Sequence, residues 1–519
     1  MRRLQHTDSE HLRNGQRMTV ASHVLLLGLF LTLQIAFLVV VGVVFTRYIT
    51  HYVLFCEFLS VCIVLYIVQQ DTNPSYKIPW IILNLVMPIM GGPAYIMFGK
   101  VRFSRGEQKR AKSSQFEYLK AAFREPDELV RLREQAPDMA MQASYIRNNA
   151  GAPVFGNTQV EYFAVGEEMF ERMVPELEKA QKSIFLEYFI INPGIMWNTV
   201  EDILVRKAAE GLDVRVMYDD IGCMGLVPAD FVRRLESHGI QCCIFNRFTN
   251  VFSARFNNRD HRKLCIIDGD VGFTGGINLA DEYINARERF GHWKDTAVML
   301  RGQGVWSMTC MFLSLWSLIK HTHEDYTKYL PSSAPDMSGF VQPFTDSPWD
   351  TERVGETVYG NILHNARKYV YITTPYLIID DEMINALSVA AKSGVDVRII
   401  TPGIPDKKVA YTLTRSYYDV LLKSGVRIFE YEPGFIHAKQ FVSDDRCAVV
   451  GTINLDYRSL CHHYECAVWM YGVDAVRDIR DDTLATMDKC REVTLEMCRN
   501  RRFIWRIWLA VLRIFAPMF

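Results

Sequence analysis

One pattern of residues occurs twice in this chain of 519 residues, and it limits the possible folds more than any other feature of the sequence. Both copies read H-x-K-x(4)-D, and their residues are His261, Lys263 and Asp268 in the first and His437, Lys439 and Asp444 in the second. At the same distance after each copy, a turn of small residues leads to an asparagine, Asn278 or Asn454. Two complete copies with matched turns arise by chance far less often than one, so the chain contains two related units.

The spacing within each copy places the histidine beside the lysine. Residues two apart on a strand project from the same face, so the His and Lys of each copy share one face. If the two units meet, two imidazoles, two ammonium groups and two carboxamides surround a single anionic group. That set of groups suits chemistry on a phosphodiester.

These residue types can cleave a phosphodiester without a metal ion or an organic cofactor, and we expect neither. A histidine can act as nucleophile or as proton donor because its pKa lies near neutral pH. A covalent phosphohistidine divides one difficult displacement into two easier ones, while the other histidine protonates the first alcohol and deprotonates the second. The donors that stabilise the developing charge are then Lys263, Lys439, Asn278 and Asn454.

The repetition extends well beyond the two motifs. Residues 180–189 match residues 366–375, and residues 211–216 match residues 394–399. Short β-branched runs alternate with amphipathic helical patterns in both halves, which predicts sheets covered by helices. We therefore predict an α/β protein with two domains, each a mixed β-sheet flanked by helices, related by a pseudo-twofold axis.

Three apolar runs near the N-terminus predict a membrane anchor. The first, about residues 20–45, exceeds the roughly 20 residues needed to span a bilayer and is the strongest candidate. The second covers about residues 52–69 and contains one glutamate. The third, about residues 78–98, contains prolines and glycines that would kink a spanning helix or make it re-entrant.

The basic residues around these runs favour conflicting topologies. A cluster within residues 100–112 follows the third run, and the positive-inside rule places it in the cytoplasm. The arginines of the N-terminal tail favour the same side, which an odd number of spans cannot satisfy. Either one run does not cross, or the tail is exported. We follow the stronger cluster and predict a multi-pass protein of the cell membrane with its catalytic part on the cytoplasmic side.

The paired motifs resemble the phospholipase D superfamily, and the membrane-anchored frame is similar to that of the bacterial cardiolipin synthases. The resemblance covers nearly the whole chain and includes residues 145–151 and 185–189. It implies transfer of a phosphatidyl group from one phosphatidylglycerol to the glycerol hydroxyl of another, with release of glycerol. It also favours His261 as the residue that forms the covalent bond.

The resemblance implies roles for four carboxylates. The motif aspartates, Asp268 and Asp444, belong to the catalytic motif, although in that family this aspartate is usually structural. A carboxylate further along the chain orients each catalytic histidine, and the matching positions are Asp295 and Glu465. The first site thus has an aspartate where the second has a glutamate.

The remaining histidines lack the support of a repeated motif. His292 and His462 each precede an orienting carboxylate by three residues, so we expect them near the site. The others, His463 among them, are expected on the surface or in packing, and no spacing among them predicts a metal site.

Charge and cysteine usage limit the partners. The net charge is −1 and the isoelectric point is near 6.9, unlike the strongly basic surface of a nucleic-acid binder. The 12 cysteines have no regular spacing, which favours buried free thiols in a reducing compartment over a disulfide framework. The expected partners are phosphatidylglycerol and other membrane lipids, with no nucleic acid; the oligomeric state stays open.

We divide the chain into five segments. They are a tail and transmembrane anchor (1–100), a helical connector (101–150), a first phospholipase D-like domain (151–325), a second one (326–475), and C-terminal helices that either lie at the membrane interface or dock on the protein (476–519).

Other functions stay open at this point. A phospholipase D-type hydrolase would use water as the acceptor, and another phosphatidyltransferase would use a different alcohol. A nuclease is disfavoured by the charge and the anchor. A membrane scaffold without activity is disfavoured because no motif residue is missing.

Overall fold

The computed structural model describes residues 28–40, 42, 48–99, 105–123, 128–247, 257–348, 352–499 and 503–518. The chain divides into two compact units, residues 1–102 with 250–255 and residues 103–249 with 256–519.

The described part of the N-terminal unit is helical. Its helices are α1 (Gly28–Val40), α2 (Ile49–Val68), α3 (Pro74–Val86) and α4 (Pro88–Phe98). Among the described residues one stretch, Thr50–Val68, is long and apolar enough to cross a membrane. The first predicted run lies partly outside the described residues. The third is not one helix, because α3 ends at Val86, Met87 caps it, and Pro88 then occupies the first turn of α4, the position where proline is tolerated.

Three further helices, α5 (Arg105–Ala122), α6 (Leu129–Gln135) and α7 (Pro137–Ala150), occupy the predicted connector. They are packed against the catalytic unit rather than extended from it. Tyr118 and Ala122 belong to its hydrophobic core, and the indole N–H of Trp306 donates a hydrogen bond of 2.9 Å to the carbonyl of Ala121. The side-chain amide of Gln342 bonds two carbonyls in this region.

The first half of the catalytic unit forms a seven-stranded sheet in the order β1-β8-β6-β5-β2-β3-β4. Strands β2, β3 and β4 run parallel, and the other neighbours are antiparallel. The elements are β1 (Thr158–Phe163), α8 (Gly166–Glu178), β2 (Ser183–Tyr188), α9 (Ile195–Ala209), β3 (Asp213–Asp219), α10 (Phe231–Ser237), β4 (Gln241–Phe245), β5 (Lys263–Ile267), β6 (Val271–Gly275), β7 (His292–Lys294), β8 (Ala297–Gly302) and α11 (Val305–Lys320).

The second half forms an eight-stranded sheet in the order β9-β18-β16-β15-β10-β12-β13-β19, which repeats the first order and directions and adds one strand. The elements are β9 (Phe340–Asp346), α12 (Val354–Asn365), β10 (Tyr369–Thr373), β11 (Leu377–Ile378), α13 (Asp381–Lys392), β12 (Asp396–Pro402), α14 (Lys408–Lys423), β13 (Arg427–Tyr431), β14 (Gly434–Ile436), β15 (Gln440–Ser443), β16 (Cys447–Gly451), β17 (Leu455–Asp456), α15 (Tyr457–Cys461), β18 (Glu465–Tyr471), α16 (Ala475–Met487), β19 (Cys490–Val493), α17 (Leu495–Arg499) and α18 (Phe503–Ile514).

Strand β19 corrects the prediction that the C-terminal segment is purely helical. It pairs antiparallel with β13 and covers the edge of the second sheet, where an open strand would expose unpaired backbone groups. The second sheet therefore continues past residue 475, and α16 is part of the catalytic unit. From α16, Asp482 reaches the first half, where it pairs with Lys294 at 2.7 Å.

The two sheets share one hydrophobic core. On β5, Leu264 and Ile266 belong to a cluster that includes Val450 and Val468 of the second sheet, while Cys265 belongs to a second cluster with helices of its own half. This alternation follows the two-residue period of a strand. One face of the first sheet packs on the second sheet and the other on helices. Each fully buried aliphatic side chain contributes about 1.5–3 kcal/mol.

The motif aspartates hold equivalent turns. Asp268 follows β5 and Asp444 follows β15, and both adopt left-handed backbone conformations with φ 56°. The Asp268 carboxylate accepts hydrogen bonds of 2.6–2.9 Å from three successive backbone N–H groups at the start of β2. Asp444 does the same at the start of β10, at 2.7–2.9 Å. Each aspartate thereby fixes one central strand to the next.

We expect Asp444→Asn to destabilise the protein without changing its chemistry. Asparagine tolerates the left-handed conformation but presents an NH₂ group to backbone N–H donors, and the loss of a hydrogen bond at these exposed or half-buried donors costs about 0.5–1.5 kcal/mol. Thermal unfolding should begin at a lower temperature, while turnover at low temperature stays close to that of the wild type. Asp445→Asn is the matched control, because Asp445 has the same φ but its carboxylate bonds the side chains of Tyr369 and Arg480 rather than successive backbone N–H groups. Equal stability of the wild type and Asp444→Asn would contradict the assignment.

Candidate active site

Backbone pairing between the halves places the two motif histidines. The N–H of His261 donates to the carbonyl of Tyr464 in the second half at 2.9 Å, and the N–H of His437 donates to the carbonyl of Lys294 in the first half at 2.7 Å. Parallel pairing of β14 with β7 extends the second contact. Each acceptor residue directly precedes the carboxylate predicted to orient a histidine.

The histidine–carboxylate pairs are therefore crossed. Nδ1 of His261 lies 2.9 and 3.0 Å from the two carboxylate oxygens of Glu465, and Nδ1 of His437 lies 2.7 Å from Asp295 Oδ2. Both carboxylates are fully buried. A carboxylate that accepts a proton from Nδ1 selects the tautomer whose Nε2 carries a lone pair, so each ring presents Nε2 for reaction.

The two carboxylates differ in length, and the small-residue turns differ to match. The longer Glu465 also accepts a hydrogen bond from the hydroxyl of Thr452. The position equivalent to Thr452 is Gly276, where a Cβ atom would overlap the carboxylate of Asp295. The glycine thus provides the space in which the shorter side chain meets its histidine.

The motif lysines lie beside the histidines and are almost fully buried. Lys263 Nζ donates to the carbonyl of His261 at 2.6 Å, and Lys439 Nζ donates to the carbonyl of His437. An ammonium group has three donors, so each lysine keeps two for a ligand. Burial lowers the pKa of Lys263 to about 8 and that of Lys439 to about 7, although neighbouring carboxylates oppose the shift.

Burial also keeps the resting histidines neutral. It lowers the pKa of His261 to about 3, against the opposing effect of Glu465, and that of His437 to about 4, with Lys439 acting in the same direction. Aromatic rings provide part of this environment, with Phe189 5.1 Å from the His261 ring. Burial alone would raise the pKa of Asp295, but Lys439 and His437 outweigh it and keep that pKa below its ordinary value.

The asparagines lie near the site with different contacts. Asn278 accepts a hydrogen bond from the backbone of Ile190 and donates one of 2.7 Å to the hydroxyl of Tyr283, whose ring lies 5.7 Å from that of His437. One of its two amide protons is left for a ligand. Asn454 hydrogen-bonds Asp456, and its Oδ1 is buried without a hydrogen-bond partner among the described residues.

The structure does not bring Asp268 and Asp444 to the histidines. Each lies at the far end of its motif strand, five residues from the lysine, a distance of about 16 Å at the rise of a strand. Their carboxylates are engaged by the backbone groups described above. This corrects their grouping with the catalytic residues, because the length of the motif strand separates them from the site.

A buried ion network behind His261 was not predicted. Arg262 pairs with Glu187 at 2.6 Å and with Asp260 at 3.3 Å, and all three side chains are almost completely buried. Burial raises the pKa of Glu187 well above its ordinary value. The feature of the sequence that indicates this network is a charged residue, Glu187, inside the otherwise apolar strand β2. The matching residues of the second half are uncharged: Ala438, Thr373 and Ile436.

His463, rather than His462, is the histidine beside the first pair. Its Nδ1 lies 3.6 Å from Glu465 Oε1, and its ring lies 5.6 Å from that of His261. The spacing of two residues before Glu465 could have indicated this, because residues two apart in extended chain share a face. At the other predicted neighbour, His292 Nδ1 lies 3.1 Å from the hydroxyl of Tyr431.

Comparison with known families finds matches along most of the chain. A family described as "Cardiolipin synthase, PLD-like domain" matches residues 173–295 and 359–484. A family described as "Phospholipase_D-nuclease N-terminal" matches residues 58–100. The first family therefore covers a part of each half, and each part ends at or beyond the orienting carboxylate.

Several bacterial proteins are similar over nearly their whole length. The chain is 45% identical over 458 residues to an uncharacterised protein of Streptococcus mutans. The aligned region covers 88% of this chain and 99% of that protein. It is 32% identical to cardiolipin synthase 2 of Bacillus anthracis over 89% of this chain and 90% of that protein. It is also 32% identical to cardiolipin synthase of Geobacillus thermodenitrificans, over 88% of this chain and 92% of that protein.

Among solved structures, the chain resembles phosphatidylserine synthase of Haemophilus influenzae. The TM-score is 0.55 at 13% identity, over 73% of this chain and 98% of that one. At this identity the similarity concerns the fold, a mixed α/β arrangement with two sheets.

We expect Gly276→Ala to separate His437 from its carboxylate. The added methyl group would occupy the position of the Asp295 carboxylate, and a misplacement of about 1 Å can reduce turnover on the order of a hundredfold. The measurement is kcat with the lipid substrate. Gly360→Ala is the control, because a Cβ there meets no atom within 4 Å. An active Gly276→Ala protein would refute the role of this glycine.

Binding of a phosphodiester should draw protons into the site. At pH 7.5 His437, with a pKa near 4, is neutral and Lys439, with a pKa near 7, is partly deprotonated. A bound anion favours the protonated forms, raises both pKa values and so causes proton uptake of about one per site.

Calorimetric titration with dibutyl phosphate in buffers of different ionisation enthalpy measures this uptake, because the charge of the ligand does not change at this pH. Lys439→Arg, whose guanidinium stays protonated, should take up fewer protons than the wild type. Proton release on binding would contradict the assigned protonation states.

Proposed function

Because this chain belongs to the cardiolipin synthase family of phospholipase D-like proteins, we propose that it joins two phosphatidylglycerol molecules into cardiolipin and releases glycerol. The protein is a phosphatidyltransferase of phospholipid synthesis. The observation that carries the mechanism is the pair of crossed contacts, His261 with Glu465 and His437 with Asp295. Each contact holds one imidazole in the tautomer that leaves Nε2 available, and the reaction requires two such imidazoles.

The two halves are related by a pseudo-twofold axis that passes between the histidines. Support comes from the repeated strand order and from the equivalent backbone contacts of His261 and His437 across the interface. The motif lysines act on the same region, since Lys263 affects the pKa of both His437 and Lys439. One phosphate bound on the axis meets both imidazoles.

In the first step Nε2 of one histidine attacks phosphorus. The P–N bond forms as the bond between phosphorus and the glycerol oxygen of the headgroup breaks, and the other histidine gives its proton to that oxygen. We assign the attack to His261 on the basis of the family resemblance. His437, protonated once the anionic substrate is bound, is then the acid.

In the second step a glycerol hydroxyl of another phosphatidylglycerol replaces the free glycerol. His437 takes the hydroxyl proton, the new P–O bond forms and the P–N bond of His261 breaks. Lys263, Lys439 and the remaining amide proton of Asn278 stabilise the negative charge on the phosphate oxygens. The site returns to the protonation state that it had with substrate bound, and His437 loses its proton when the anionic product leaves.

The protein acts at the cell membrane. Support comes from the candidate span Thr50–Val68 and from the match of residues 58–100 to an N-terminal family segment. We propose a multi-pass anchor with the catalytic unit on the cytoplasmic side, because the basic cluster of residues 100–112 favours that side. The partners are membrane lipids, phosphatidylglycerol above all, and no nucleic acid.

The C-terminal helix α18 contributes a second membrane contact in this proposal. One side docks on the protein through Leu509 and through Arg513, which lies 4.4 Å from the Tyr417 ring. The other side exposes about half of Ile507 and Trp508, residue types suited to the headgroup layer. The following turn packs on α15, which leads to Glu465. The proposal thus assigns both roles, docking on the protein and contact with the membrane, to one helix.

Purified protein with labelled phosphatidylglycerol tests the function. We expect cardiolipin and free glycerol in equal amounts, and at least a thousandfold loss of rate in His261→Ala and in His437→Ala, since removal of a nucleophile or of its proton-transfer partner costs on the order of 10³ or more. Phosphatidic acid as the main product would replace the transferase by a hydrolase, and no turnover would favour a scaffold.

The covalent step has its own test. Rapid quenching and mass spectrometry of the wild type during turnover should detect a phosphatidyl group on His261 and none on His437, because His437 only transfers protons in both steps. His364→Ala, at an exposed position of α12, is the control and should keep the wild-type rate. A label on His437 in His261→Ala would reverse the two roles.

A further inference from the structure

His463 gives the first histidine pair a third side chain that could bind a metal ion. Its side chain is 10% exposed. Neither ring nitrogen has a hydrogen bond within 3.5 Å among the described residues, and Nδ1 makes only a long contact of 3.6 Å with Glu465 Oε1. A buried imidazole normally satisfies at least one nitrogen, so this ring faces Glu465 and His261 with unused binding capacity.

The second pair has no such side chain. The residue two positions before Asp295 is Trp293, and its ring lies 5.5 Å from that of His437. An indole offers no lone pair for a metal. The two pairs, which are alike in their hydrogen bonds, thus differ in this one respect.

We propose that His261, His463 and Glu465 form an inhibitory site for a divalent transition-metal ion of the Zn²⁺ type. One ligand atom from each residue lies within 4.8 Å of the others. Ligands of a tetrahedral Zn²⁺ with bonds near 2.0–2.2 Å lie about 3.4 Å apart, so small rotations of the three side chains close the site. Two imidazoles and a carboxylate suit this ion, and a water completes the shell.

Metal binding would stop the reaction through the tautomer of His261. A neutral imidazole carries one proton, and Glu465 holds it on Nδ1, the nitrogen nearest to the site. If Nδ1 binds the metal, the single proton must reside on Nε2. Nε2 then has no lone pair for attack on phosphorus. No bond of the substrate forms or breaks, so removal of the metal restores activity.

This inference rests on the proposed function for its effect on turnover, but the binding itself does not. Protein purified in the presence of a chelator and then titrated with Zn²⁺ should lose transferase activity, and a chelator should restore it. Titration with Co²⁺ in place of Zn²⁺ should produce the visible absorption of a tetrahedral complex, with one ion per chain.

His463→Asn and His463→Gln should retain most of the basal activity, require at least tenfold more Zn²⁺ for half inhibition and lose the Co²⁺ absorption. His364→Asn, exposed on α12, should behave like the wild type. A thermal unfolding curve identifies a variant that has not folded, and the two substitutions provide independent tests.

The outcomes separate the two proposals. Equal Zn²⁺ sensitivity of the wild type and both His463 variants would overturn the metal site, as would an active enzyme that binds no Co²⁺. Co²⁺ binding that depends on His463, in a protein that makes no cardiolipin, would uphold the site and reject the function.

Discussion

The crossed hydrogen bonds between each histidine and a carboxylate of the other half are the contacts on which the site depends. His261 is hydrogen-bonded to Glu465 and His437 to Asp295. A backbone hydrogen bond beside each pair fixes the distance between the imidazole and the carboxylate. Neither half can orient its own histidine. The shared core between the sheets is therefore also a condition for catalysis, because any slip between the halves would separate both pairs together.

The two histidines make similar hydrogen bonds, but the side chains that pack around their carboxylates differ. At one, a glutamate and a threonine hydroxyl fill the space, whereas at the other an aspartate needs the bare backbone of Gly276. An ion network that includes Arg262 lies beside His261, whereas the matching residues of the second half, Ala438, Thr373 and Ile436, are uncharged. The two imidazoles thus have the same tautomer in different electrostatic surroundings, which suits two histidines that perform different tasks.

Much of this arrangement was predictable from the repeat, because equal spacing implies equal strands and equal turns. The pairing of each histidine with the carboxylate of the other half was not predictable, since the positions of Asp295 and Glu465 do not reveal which histidine each one contacts. The sequence alone favours His462, three residues before the carboxylate, but extended chain brings the second residue before it, His463, to the same face. Strand β19 had too helical a composition to be recognised without the exposed edge that it covers.

The shared core has a consequence for the origin of such a chain. A single half would expose an apolar sheet face and carry a histidine without its carboxylate, so alone it would be both insoluble and inactive. Two identical copies could satisfy each other about a true symmetry axis. Fusion of two such copies in one chain would free them to diverge, and the difference between Gly276 and Thr452 at equivalent positions is a change that only a fused chain can hold.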